Sequence, residues 1–111
     1  MKFNGVVFRH RKKTGIGVVI RDEYGVVIAA LSKIVNAPLG ATEIEAKAME
    51  AGVLFTQDVR IREVMFEGDS LVICKVLQGE GEAPSSTHNM LAVTLEQASG
   101  FRSFYFSHVK R

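Results

Sequence analysis

The chain has 111 residues, of which 47% are hydrophobic and 23% charged, and its formal net charge is +2. That is the length of one domain and an ordinary globular composition, enough to bury roughly two-thirds of the unfolded surface. The small net charge excludes a nucleic-acid binder declared by charge alone. The single cysteine, Cys74, excludes an internal disulfide and a cysteine-rich zinc site. With no signal peptide and no apolar run long enough to span a membrane, a cytoplasmic or nuclear location is expected and a membrane partner is not.

In chain order, residues 3–8 form a short β-prone run. Arg9-His10-Arg11-Lys12-Lys13 follows as a polar interruption, read as the first inter-strand turn and the densest basic cluster of the chain. It is either a solvated hairpin end or a surface that tracks a phosphate backbone. Residues 15–21 and 26–31 are apolar, β-branched runs joined by Asp22-Glu23-Tyr24-Gly25, and they are expected to pair antiparallel, with Gly25 at a positive φ. Gly15 and Gly17 either ease strand packing or let a nucleic-acid backbone approach.

After a loop over residues 36–41, the period changes to helical across residues 42–55. Ile44, Ala48, Ala51 and Phe55 share one stripe, and Glu45, Ala48, Met49 and Gly52 share the next. A strand over 62–67, a helix over 70–77, a loop over 79–86, a helix over 87–99 and a strand over 103–109 complete the chain. The order β-β-β-α-β-α-α-β predicts an α/β fold: a three-stranded antiparallel meander, then two parallel strands, with helices on the sheet. Phe55, Phe66, Phe104 and Phe106 are expected in the core, as is the Cys74 thiol.

Two acids have two readings each. Glu45 shares its stripe with small and apolar residues, where a carboxylate needs a partner or a cation. Equally, Thr42-Glu43-Ile44-Glu45 has the spacing of a capping box, with Glu45 reaching back to Thr42. Asp69 follows a strand and precedes a helix, so it is either an N-cap or a ligand-binding acid at the carboxyl end of that strand. His10 and His88 have no partners at metal-ligand spacing, and no serine forms a recognisable nucleophile motif.

Taken together, the motifs resemble the plant kind of type 1 ribonuclease H-like domain. Thr14 to Asp22 with Tyr24-Gly25 and Ala29-Ala30-Leu31-Ser32 resembles its second and third strands. Glu45 followed by Ala48 and Gly52 resembles its first-helix motif, and Val64-Met65-Phe66-Glu67-Gly68-Asp69-Ser70 its fourth strand and Asp-Ser turn. Phe104-Tyr105-Phe106-Ser107-His108-Val109-Lys110-Arg111 resembles its fifth strand and the following His-Val-x-Arg.

The resemblance implies a ribonuclease H-like five-stranded mixed sheet and endonucleolytic hydrolysis of the RNA strand of an RNA–DNA hybrid. It further implies two Mg²⁺ (or Mn²⁺) ions held among four acids, no small-molecule cofactor, and hybrid or RNA as partner. Glu45 and Asp69 match two of the metal-binding, catalytic acids. The first-strand acid has no counterpart: Asn4-Gly5 reads as its motif with the Asp deleted, and no acid precedes Asp22. The fourth acid and the final helix that carries it find no match before Arg111, so a single domain over 1–111, incomplete at its C-terminus, is expected. Exposed apolar surface beside the last strand, with marginal stability or self-association, is the corresponding expectation.

The hydrolase activity is accordingly expected to be impaired. The alternatives are a non-catalytic nucleic-acid-binding remnant, derived from a retroelement, and a protein-interaction module on the same fold. Arg9, Arg11, Lys12, Lys13 and His108 are the candidate nucleic-acid contacts.

Overall fold

Eight elements follow one another: β1 (Gly5–Lys12), β2 (Gly15–Arg21), β3 (Val27–Ile34), α1 (Ala41–Val59), β4 (Glu63–Gly68), α2 (Leu71–Leu77), α3 (His88–Ala98) and β5 (Ser103–His108). The structure, a computed structural model, describes residues 5–12, 15–34, 40–68 and 70–109; for residues 8, 10–12 and 41 only the backbone is described. The strands form one five-stranded sheet in the order β3-β2-β1-β4-β5. β1, β2 and β3 are antiparallel neighbours, while β4 is parallel to β1 and β5 parallel to β4. The mixed sheet expected from the order of elements is the sheet observed.

The largest departure lies in β1. The basic stretch expected as a turn continues the strand: Arg9 pairs with Val18, Arg11 with Ile16 and Lys12 with Gly15. A seven-residue β2 leaves its backbone groups unpaired unless β1 runs equally far, and buried backbone groups are nearly always paired. The β2–β3 hairpin behaves as expected. Asp22 Oδ1 accepts from the Tyr24 and Val26 amides, both at 2.9 Å, and Gly25 sits at φ 83°.

One side of the sheet carries Val7, Ile16, Val18, Ile20, Val64, Phe66 and Phe106, all buried. On α1, Ala46, Ala48, Met49 and Val53 are buried with them, and Ile73, Leu77, Leu91 and Ala98 extend this core through α2 and α3. The Glu45-Ala48-Met49-Gly52 stripe therefore faces the sheet, because residues spaced three and four apart share one helix face. Phe66 stacks on Phe106 with ring centroids 5.3 Å apart, while Phe55 and Phe104 are partly buried against the same core. On the other side Ile28 and Tyr105 are exposed, while Val19 and Met65 are partly buried.

Gly15 answers one open question. A Cβ there would collide with the Lys33 carbonyl oxygen of β3 and lie 3.0 Å from the carbonyl carbon, so the missing side chain admits a neighbouring strand. Replacing a strand glycine with alanine ordinarily stabilises by roughly 0.5–1 kcal/mol. Here the sign reverses: Gly15→Ala must displace backbone and is expected to cost about 1–3 kcal/mol, read as a lower denaturation midpoint at constant m-value.

Candidate functional site

The site is built where the first turns of α1 meet the middle of β1 and the carboxyl end of β4. α1 starts at Ala41 with Gly40 as N-cap and no side-chain capping bond. The expected capping box therefore does not form: Thr42 is already helical, and the helix starts too early for Glu45 to reach back to a cap. The Glu45 carboxylate turns to the sheet instead, where Arg9 Nη2 donates a hydrogen bond to Oε1 at 3.0 Å.

Arg9 corrects a second expectation. Within β1, residues 7 and 9 project to the same side, so Arg9 follows Val7 into the helix-covered face. Its side chain is 0% exposed, against 14% for Glu45. It is not part of an exposed basic turn. Its stem crosses Gly52 of α1, where a Cβ would lie 3.1 Å from Arg9 Cδ. Its tip ends over Gly68, the last residue of β4, where a Cβ would collide with Nη2 and come within 2.7 Å of Glu45 Oε1. The Cys74 thiol closes the group from α2, with Sγ 3.8 Å from the carbonyl oxygens of Gly68 and Ser107. Cys74 is buried, as expected.

The remaining candidates distribute as follows. Asp69 comes directly after Gly68 but lies outside the described residues. The capping role considered for it belongs to Ser70, whose Oγ accepts from the Ile73 amide at 3.3 Å. Arg11 and Lys12 lie in β1 rather than in a turn, with side chains outside the description, and Lys13 falls outside it altogether. His108 ends β5, exposed, and pairs in register with Gly68. Gly5, beside the expected deletion of the first-strand acid, pairs with Val64 at the start of β4. The β1 residue that reaches Glu45 is Arg9, four positions further on.

Sequence reasoning missed the Arg9–Glu45 pair because it ended the first strand at residue 8. The signal was present: β2 needs a partner of its own length, and that length places residue 9 on the core side.

The described residues do not fit the divalent ions that the resemblance implies. Glu45 is the one candidate ligand described, and among the described residues no group of three or more His, Cys, Asp or Glu side chains gathers. A hard divalent ion binds carboxylate oxygen at about 2.0–2.6 Å, so on Oε1 it would sit within about 5 Å of the Arg9 nitrogen already there. A guanidinium stays protonated, and that repulsion acts in a site shielded from water.

A cleft of about 520 Å³ bordered by Val76, Ala83, His88 and Leu91, and one of about 380 Å³ bordered by Gln57, Arg60, Arg62 and Phe101, lie elsewhere; Glu45 borders neither.

A family model described as reverse transcriptase-like matches residues 2–111. The chain belongs to the reverse transcriptase-like family. Among solved structures, it is similar to RNase H1 of Halobacterium salinarum NRC-1, with TM-score 0.81, 18% identity, and coverage of 100% of this chain and 87% of that one. It is similar to the N-terminal RNase H domain of a Mycobacterium tuberculosis protein, solved fused to maltose-binding protein, with TM-score 0.80, 19% identity and coverage of 96% and 87%. LC11-RNase H1 in complex with an RNA/DNA hybrid matches with TM-score 0.74, 19% identity and coverage of 96% and 84%. At these identities the likeness establishes the ribonuclease H fold. A comparison with curated protein sequences returns no match. No helix of this family member is long and apolar enough, among the described residues, to cross a membrane.

Proposed function

We propose that this chain is a nucleic-acid-binding ribonuclease H-like domain that engages RNA–DNA hybrid and has lost most or all of the family's hydrolase activity. Family membership and a fold similar to that of a hybrid-bound RNase H1 support the partner. The observation that carries the impairment is the Arg9 guanidinium on Glu45. In this reading Glu45 and Asp69 are the two surviving acids of the family's metal site. The strand positions that would complete it hold Arg9 and its neighbours, and β1 contains no acid.

Binding would rest on the backbone and shape of the hybrid. Arg11, Lys12 and Lys13, at the β1–β2 end, would contact phosphates. His108, at the end of β5, is the further candidate contact, and sugar 2′-hydroxyls would distinguish RNA from DNA. The domain is read as a single unit over 1–111, derived from an active hydrolase of the family.

Two measurements test this. Fluorescence anisotropy should show binding to labelled hybrid that weakens with salt. Substituting Arg11, Lys12 and Lys13 together by serine should flatten the log–log salt slope by about 0.7–0.9 for each phosphate no longer neutralised. A cleavage assay in Mg²⁺ and in Mn²⁺ should give no appreciable turnover. Turnover that Asp69→Asn abolishes would overturn the proposed impairment, and absence of salt-sensitive binding would overturn the proposed partner.

A further inference from the structure

The placement of Arg9 goes further than a damaged metal site. Its charged end lies where the carboxylate of α1 meets the end of β4, entirely removed from solvent. The space it fills exists because Gly52 and Gly68 present no side chains: a Cβ at either would press on the arginine, at Cδ or at Nη2. The acid beside it is 14% exposed and meets a positive charge of fixed position. Chemically, a carboxylate turned toward a sheet is tolerable only with a cation or donors. A metal ion supplies that charge reversibly, by binding from solution. A guanidinium supplies it permanently, with planar donors suited to a carboxylate.

We propose that Arg9 is a resident cation that replaces divalent metal at this site, so that the fold needs no metal and does not take one up. The inference deepens the proposed function by naming what became of the metal site, and it rests on that reading for the identity of the site as a former metal centre. The guanidinium holds Glu45 against β1, neutralises it, and occupies the volume an ion would need. Stability is therefore indifferent to Mg²⁺, Mn²⁺ and chelator, and hybrid binding requires no divalent ion. A divalent site returns when the resident charge is exchanged for a ligand.

The experiment uses the full chain and Mn²⁺ itself, whose uptake is read from the loss of the free-ion paramagnetic signal and from thermal melts in Mn²⁺ against EDTA. The wild type should take up no Mn²⁺ and melt identically in both. Arg9→Asp should take up Mn²⁺ about tenfold or more tighter than wild type, with a melting temperature that Mn²⁺ raises, and Glu45→Gln in that background should abolish the uptake. Folding of Arg9→Asp only when Mn²⁺ is added also supports the proposal. If Arg9→Asp folds under neither condition, the neutral Arg9→Asn takes its place with the same expectation. If neither variant folds, the wild-type arm decides.

Uptake by the wild type, a folded Arg9→Asp or Arg9→Asn with none, or uptake that survives Glu45→Gln overturns the proposal. Anisotropy of hybrid binding in EDTA separates the two readings. No binding there, with the Mn²⁺ results as expected, removes the proposed partner and leaves the replaced cation standing.

Discussion

Glu45→Gln is expected to lower the stability of the domain by about 3 kcal/mol, more than Arg9→Met does. The two halves of the pair differ in their access to water. Arg9 is 0% exposed at its side chain, so losing the carboxylate strands a positive charge that water cannot reach. Losing the guanidinium strands a carboxylate that is 14% exposed and can be partly hydrated. Breaking a buried pair by removing one partner costs about 3–5 kcal/mol, and the lower end applies because Glu45 is not the guanidinium's only interaction.

The double variant Arg9→Met with Glu45→Leu removes both charges and should recover most of the stability, since apolar replacement of a buried pair is often neutral. Urea unfolding of the wild type, Arg9→Met, Glu45→Leu and this double variant gives the coupling directly. Equal costs for the two single variants, or costs under about 0.5 kcal/mol, would show that the pair is hydrated in solution.

Phe66→Ala is expected to cost about 4 kcal/mol, equivalent to a melting temperature lower by roughly 15 °C for a domain of this size. Phe66 is wholly buried, with ring centroids 5.3 Å from Phe106 and 5.7 Å from Phe101. It sits on β4, between the two strands it pairs with in parallel, so its removal leaves a cavity that no single neighbour can close. Phe104→Ala, at a partly buried position on the outermost strand, should cost distinctly less. Calorimetric melts of the two variants compare them, and a Phe104 effect equal to the Phe66 effect would contradict this layering of the core.

Much of the fold is legible in short-range patterns. The alternation of β2, the Asp22–Gly25 turn and the Glu45-Ala48-Met49-Gly52 stripe are set by residues close in the chain and read with a fixed period. The buried phenylalanines and Cys74 follow from the same patterns. The departures lie at element ends. The basic run 9–13 reads as a turn because charged residues favour solvent, yet pairing with β2 draws it into the strand. The capping box over Thr42–Glu45 is a sound local pattern, overridden because the helix begins two residues earlier, with Gly40 rather than Thr42 as its N-cap. Asp69 resembles an N-cap by position, but the neighbouring Ser70 does that work.

By itself, the amino-acid sequence determined the element order and the mixed sheet, because hydrophobic period and local turn chemistry act over a few residues, while its ordered motifs carried the resemblance to the family. It also determined that β1 carries no acid. Only the tertiary structure decided what stands there instead. A parallel pairing of β1 with β4 and the crossing of α1 bring Arg9 against Glu45, 36 positions away in the chain. Both charges share a space that Gly52 and Gly68 leave open. No local pattern contains that contact, since it depends on strand length, register and facing together. It turns an arginine that reads as a surface cation into the charge at the centre of the site.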